Sequence, residues 1–590
     1  MPTPLSFTGR SARVLVGVAA LAVIGSGAAY AALGDTHGAE RHTSGDQTAD
    51  VAAQIKYGKA KNVILFIGDG MGDSEITIAR NYLQGAAGTL PGLDSLPLTG
   101  QYTTYALHKS NDPLTDGDDT GKPDYVTDSA ASGSGWATGT KTYNGAISVS
   151  LDGTTANQTL LEWAKAAGKK TGDVTTAEIQ DATPAVQYAH VADRGCYMPG
   201  TDKTQTVTVD GKAQFKGMTN CPNQTKSIEE QLLDTKPDVT MGGGLGWFSA
   251  TAGNGKTVLQ NAQDADFQVV KTKGELDAVT QADQSKPLLG LFASGNMQTR
   301  FKATPATADG YSKPAKECET NTTAPDGSAV TWPGTQPTLA QMTDKAIKLL
   351  DNPNGFFLQV EGASIDKQDH AANACGQIGE TLDLDEAVQV GMDYAKTHGD
   401  TLVIVTADHA HTSQIINAAD ISASSPNTIP LAGTYNLLTH DGTAMTVAYG
   451  TAQLNGSQQH TGTQLRVAGY GPGAANVVGL SDQTDIFQTI KRSLSGDQLD
   501  PSPAPQTVPG PTVTVTANPT AAPTATVTVT APPQPGATVT VTAQPHPSNP
   551  ISVGNKINAL KKQLKHAKGA KKAKLQGQLA AYQAVQKQLR

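Results

Sequence analysis

Four short runs of large apolar residues, each stopped by glycine, serine or an acidic residue, constrain this chain more than any other feature. They are NVILFIGDG from residue 62, PLLGLFASG from 287, GFFLQVEGA from 355 and TLVIVTADHAH from 401. A run of this length without polar alternation reads as a strand buried on both faces, as in a parallel sheet covered by helices. Stretches with helical periodicity lie between the runs, TLAQMTDKAIKLLDN from residue 338 among them. The expected fold is therefore α/β, a large central mostly parallel sheet flanked by helices. In open sheets of this kind ligands bind beyond the carboxyl ends of the strands, so polar residues just past the runs are the first functional candidates.

The rest of the chain sets the context. Of 590 residues, 44 are basic and 53 acidic, a net charge of −9, which argues against a dedicated nucleic-acid binder. Arg10 and Arg13 precede the apolar run VLVGVAALAVI, and small residues follow near Ala31. That order reads as a signal peptide over residues 1–31, followed by an N-terminal arm over 32–59. A membrane anchor would need about 20 apolar residues, whereas this run breaks at Gly25-Ser26-Gly27. The mature chain is expected to be exported: secreted, periplasmic or attached to the cell envelope.

Cys196, Cys221, Cys318 and Cys375 form an even set that suits two disulfides in an oxidising compartment, with all three pairings open on sequence alone. The catalytic domain is expected over residues 60–495. Past it the composition changes, with TVTVTA at 512, 526 and 538 between Pro-rich spacers. Residues 496–550 read as an extended Thr/Val/Pro linker. Residues 551–590 are lysine-rich, lack any acidic residue and favour helix, giving either a solvated helical hairpin or an anchor for anionic envelope polymers or lipid headgroups.

The candidate site residues come from five segments. DYVTDSAASGSGWATG sets Asp128 beside Ser129 ahead of very small residues, which on its own reads as a helix N-cap. Asp69 follows a buried strand between two glycines, where an Asp-Gly turn is the plain explanation. LQVEGASIDKQDHAA supplies Glu361, Asp366, Asp369 and His370; a helix beginning near Ser364 would put Asp366 and His370 on one face, as an ion pair or as a grip on a divalent ion. Asp408, His409 and His411 stop an apolar run, and His460 lies in a polar segment. Histidines with carboxylates suit zinc, and oxygen-rich positions suit magnesium. A two-metal site suits displacement at phosphorus, and it gives Ser129 a function as nucleophile.

The motifs DYVTDSAAS, AEIQDATPA, HVADRGCY, FFLQVEGASIDKQDHAA, IVTADHAH, HTGTQLR and YGPGAANVVGL, in that order, resemble bacterial alkaline phosphatase. The resemblance implies two Zn2+ and one Mg2+ per subunit and a phosphoserine at Ser129. It implies Asp366, His370 and His460 for one zinc, and Asp69, Asp408 and His409 for the other. Asp69, Thr183 and Glu361 would hold magnesium, with Asp181 on the waters around it. Arg194 would clamp phosphate, Lys367 would reach it through water, and His411 would support a ligand. It also implies the pairs Cys196–Cys221 and Cys318–Cys375, and a homodimer acting on small phosphate monoesters, a role suited to phosphate scavenging. A phosphodiesterase or sulfatase on a related scaffold, and an envelope-binding protein with a vestigial metal fold, are the competing readings. The acidic loop SNDPLTDGDDTG, residues 110–121, departs from the family and reads as solvated or as calcium-binding.

Overall fold

The computed structural model describes residues 45–496 except 111–117, 422–432, 452 and 455, together with the single position 561. The signal-peptide segment, nearly all of the linker and tail, and most of the acidic loop lie outside the described residues.

Each of the four apolar runs forms a strand of one ten-stranded sheet. In chain order its strands are β1 (Asn62–Gly68), β2 (Leu98–Thr103), β3 (Lys170–Glu178), β4 (Val239–Gly243), β5 (Gln268–Val270), β6 (Leu288–Leu291), β7 (Phe356–Gly362), β8 (Thr401–Ala407), β9 (Leu465–Tyr470) and β10 (Gly479–Asp482). The spatial order is β10-β2-β9-β8-β1-β7-β3-β4-β6-β5. From β8 to β5 every pair is parallel. Strand β9 runs antiparallel to both β8 and β2. The three central strands β1, β7 and β8 are buried along their whole length, which explains their unbroken apolar sequence.

Helices cover the sheet, and their boundaries follow local chemistry. We label α1 (Asp73–Gln84), α2 (Ser129–Thr138), α3 (Leu160–Ala166), α4 (Leu339–Leu350), α5 (Ser364–His370), α6 (Ala374–Thr397) and α7 (Asp485–Ser495). Helix α4 is the periodic stretch read from sequence, opened by a capping box between Thr338 and Gln341. A separate three-stranded antiparallel sheet of Ser413–Ile416, Ala444–Tyr449 and Thr434–Leu438 has its own apolar cluster around Leu437, Val447 and Tyr449. The cysteines pair as Cys196–Cys221 and Cys318–Cys375. Among the described residues no helix is long and apolar enough to cross a membrane.

This order brings remote residues together. With β1 between β7 and β8, the residues just past Gly68, Gly362 and Ala407 share one end of the sheet. Strand β3 lies on the far side of β7 and delivers the turn containing Asp181 and Thr183 to the same end.

Candidate active site

The segment around Ser129 shows why it is made of small residues. Asp128 caps α2, its Oδ1 accepting from the Ala131 amide at 2.9 Å. All ten residues of the helix are buried. A Cβ on Gly133 would come within 2.9 Å of Val186, and one on Gly135 within 3.1 Å of Gln483. Only minimal side chains let the helix lie this close to its neighbours. Ser129, 2% exposed, occupies its first turn, where free amides favour an anion. Its Oγ lies 3.4 Å from Nε2 of His409.

Two groups of acid and imidazole side chains stand at the same sheet end, the ligand atoms within each lying within 4.8 Å of one another. The first is Asp366, His370, His411 and His460. Helix α5 starts at Ser364, so Asp366 and His370 share a face as the spacing predicted. Oδ1 of Asp366 is 3.3 Å from His370 Nε2, 3.4 Å from His460 Nε2 and 2.6 Å from His411 Nε2. Burial opposes ionisation of Asp366, but hydrogen bonds from His411 and His460 hold its carboxyl well below the usual range. Because His411 bonds directly to Asp366, it fits a supporting partner.

The second group is Asp69, Asp408 and His409, all buried. His409 Nε2 lies 3.1 Å from Asp408 Oδ2 and 3.4 Å from Asp69 Oδ1. The Asp408 carboxylate accepts from the Gly70 amide at 2.8 Å. Gly70 has φ +69°, and a Cβ there would meet His411 and the Asp366 backbone below 3 Å, so glycine is required at this turn. Burial, then the charge of Asp408, pushes the Asp69 carboxyl well up; burial also raises Asp408. Burial lowers His409 well below its ordinary value, keeping its imidazole neutral as a metal ligand must be. Asp69 Oδ1 and Asp408 Oδ2 are buried without a hydrogen-bond partner, as is Thr183 Oγ1. Orphaned buried oxygens on two like-charged groups fit a cation.

Beside these groups stands a cationic face. Arg194 donates to Asp181 at 2.9 Å and to Asp128 at 3.2 Å, which fixes its guanidinium plane. Lys367 donates to the other oxygen of Asp181 at 2.8 Å. Glu361, at the end of β7, accepts from the Thr175 hydroxyl on β3. The sequence reading missed Thr175, because its partner is set by strand order, which local spacing does not report. It also left Asp128 as a cap only, although the carboxylate holds Arg194 as well. Asp69, Asp366, His370, Asp408, His409, His411 and His460 come together in the two groups, whereas Asp369 belongs to neither.

Known proteins resemble this chain over most of its length. A sequence profile of the alkaline phosphatase family matches residues 60–455. The chain is 54% identical over 463 residues to alkaline phosphatase of Escherichia coli strain K12, spanning 78% of this chain and 91% of that protein. It is 42% identical over 446 residues to streptomycin-6-phosphate phosphatase of Streptomyces griseus, spanning 74% and 90%. Alkaline phosphatase from the Antarctic bacterium TAB5 superposes with a TM-score of 0.51 at 25% identity, covering 75% of this chain and 99% of that one. A serine at a helix N-terminus beside two metal-capable groups is therefore found in a chain that belongs to the alkaline phosphatase family, and the enzyme is a phosphoric monoester hydrolase.

Proposed function

We propose that the enzyme cleaves phosphate monoesters in two in-line steps through phosphorylated Ser129. The observation that carries this reading is Ser129 Oγ at the N-terminus of α2, 3.4 Å from His409. In the first step Oγ forms a bond to phosphorus as the bond to the alcohol oxygen breaks, and the proton lost by the serine hydroxyl ends on the departing alcohol. In the second, water takes the place of Oγ, phosphate departs and the serine regains its proton. Both steps pass through a loose transition state that needs positioning and charge stabilisation.

Each residue group then has a role. Asp366, His370 and His460 would hold one Zn2+, Asp69, Asp408 and His409 a second, and Asp69, Thr183 and Glu361 one Mg2+, with Asp181 on its waters. These ions supply Lewis-acid stabilisation of the attacking and leaving oxygens when bound. Arg194 offers a planar fork to two nonbridging oxygens, a geometry lysine cannot match. Its contacts to Asp128 and Asp181 preset that plane. Lys367, held by Asp181, would reach phosphate through water. His411 keeps Asp366 oriented.

Residues 60–495 form the catalytic domain, between the leader and arm on one side and the linker and tail on the other. The leader-like residues 1–31 and the two disulfides support export, and phosphate release outside the cytoplasm suits scavenging. The enzyme acts as a homodimer, and the basic tail holds it to anionic envelope polymers or headgroups. Hydrolysis of matched phosphate monoester, phosphate diester and sulfate ester substrates, with zinc and magnesium and with chelator, tests the reading. The expected result is metal-dependent preference for the monoester. Preference for the diester or sulfate would overturn it.

A further inference from the structure

Beneath the site lies a hydrogen-bond hub that the mechanism does not use. Gln359 is on β7, two residues before Glu361, so both side chains share one face of the sheet. Across from them on β3 stand Asp173, opposite Gln359, and Thr175, opposite Glu361. The amide of Gln359 has all four of its hydrogen-bonding positions filled. Its oxygen accepts from Trp136 Nε1 at 3.1 Å and from Gln187 Nε2 at 2.8 Å. Its nitrogen donates to the Thr183 carbonyl at 2.8 Å and to Asp173 Oδ2 at 3.5 Å. Gln359, Trp136, Gln187, Asp173 and Thr183 are all at most 1% exposed.

The partners make this hub more than core packing. Trp136 sits on α2 seven residues after Ser129, two turns along the same helix face. Thr183 carries the buried hydroxyl that has no partner, beside the site read above as the magnesium cage. One side chain thus bonds both the nucleophile helix and the backbone of a cage residue. A fully satisfied buried amide has one orientation, so a shift of the Thr183 turn is passed to the indole of Trp136.

We propose that Gln359 is a positioning residue that couples the Thr183–Glu361 cage to the nucleophile helix, so that magnesium bound in the cage is registered at Ser129. This rests on the magnesium reading given above. Partners of this kind set the orientation of metal ligands, and losing one weakens metal binding roughly tenfold.

The test uses zinc-loaded, full-length enzyme with 5-fluorotryptophan at its four tryptophans, the Trp136 resonance being assigned by its loss in Trp136→Phe. Magnesium is then added to wild type and to Gln359→Met, followed by fluorine NMR and calorimetry. In wild type the Trp136 resonance moves as magnesium saturates. In Gln359→Met the magnesium midpoint rises roughly tenfold and the resonance stays still. A purely structural role would lower the melting temperature of the variant without moving that midpoint, and this result would overturn the proposal. A wild type that binds no magnesium overturns the cage reading instead. Should Gln359→Met not fold, Gln187→Met removes one donor only; the indole must then still follow magnesium with altered amplitude, and an unchanged response overturns the proposal.

Discussion

The two metal-capable groups stand side by side, yet their electrostatics are opposite. In the group of Asp366, His370, His411 and His460, three imidazoles face one carboxylate, and two of the four residues are partly open to solvent. Its acid is held low by its own neighbours. In the group of Asp69, Asp408 and His409 everything is buried, two carboxylates share one neutral imidazole, and both acids are pushed up. The first group is close to charge-balanced as protein. The second is short of positive charge, and two of its oxygens have no partner. The sealed group therefore needs an ion to balance its charge, whereas the half-open group can exchange one with solvent.

The largest effect separates metal holding from chemistry in both groups. Replacing Ser129 by Ala should reduce turnover by roughly 10³-fold or more while metal content stays that of wild type, the outcome expected of the proposed nucleophile. Turnover near wild type, measured on a matched metal-replete sample, would contradict the assigned nucleophile.

Next comes the contrast between the groups. Asp408→Asn should lose most activity without recovery at raised zinc, and its metal-free form should melt above metal-free wild type, because a buried like-charge pair is relieved. His460→Ala should weaken metal binding by more than the roughly 10- to 100-fold that loss of a ligand's supporting partner costs, and regain turnover as zinc is raised. Zinc titrations of the two variants followed by activity and by melting check both statements. Equal rescue of the two would erase the distinction between sealed and half-open.

The smallest effect comes from buried acid away from the metals. Burial, with the nearby Asp383 carboxylate adding to it, pushes Glu380 from 4.5 up to about 8. An acid raised on folding holds its proton longer in the native state, so stability is unaffected below the unfolded value, falls as pH rises between the two, and levels off above about 8. Glu380→Gln should therefore melt about 2–4 °C higher relative to wild type at pH 9 than at pH 5. Parallel melting profiles across that range, at fixed metal, would remove Glu380 from the pH dependence.

The same contrast shows what was legible in sequence. β1, β7 and β8 announced themselves because burial on both faces leaves no polar alternation, and their ends located Asp69, Glu361 and Asp408. Asp366 and His370 were readable because helix spacing is local. Their meeting with His460, which lies on a distant polar segment, was legible only through resemblance, since nothing in a lone histidine reports its neighbour. Thr175 escaped because its bond to Glu361 crosses from β3 to β7, and the antiparallel setting of β9 escaped because strand direction is a property of the whole sheet.

The central claim is that the two groups hold separate zinc ions beside Ser129. Anomalous diffraction at the zinc edge from crystals of the metal-replete enzyme tests it most directly. The account predicts two zinc peaks, one about 2.0–2.2 Å from ligand atoms of Asp366, His370 and His460 and one at such distances from Asp69, Asp408 and His409. A single peak, or a peak ligated by His411 in place of His460, would contradict it.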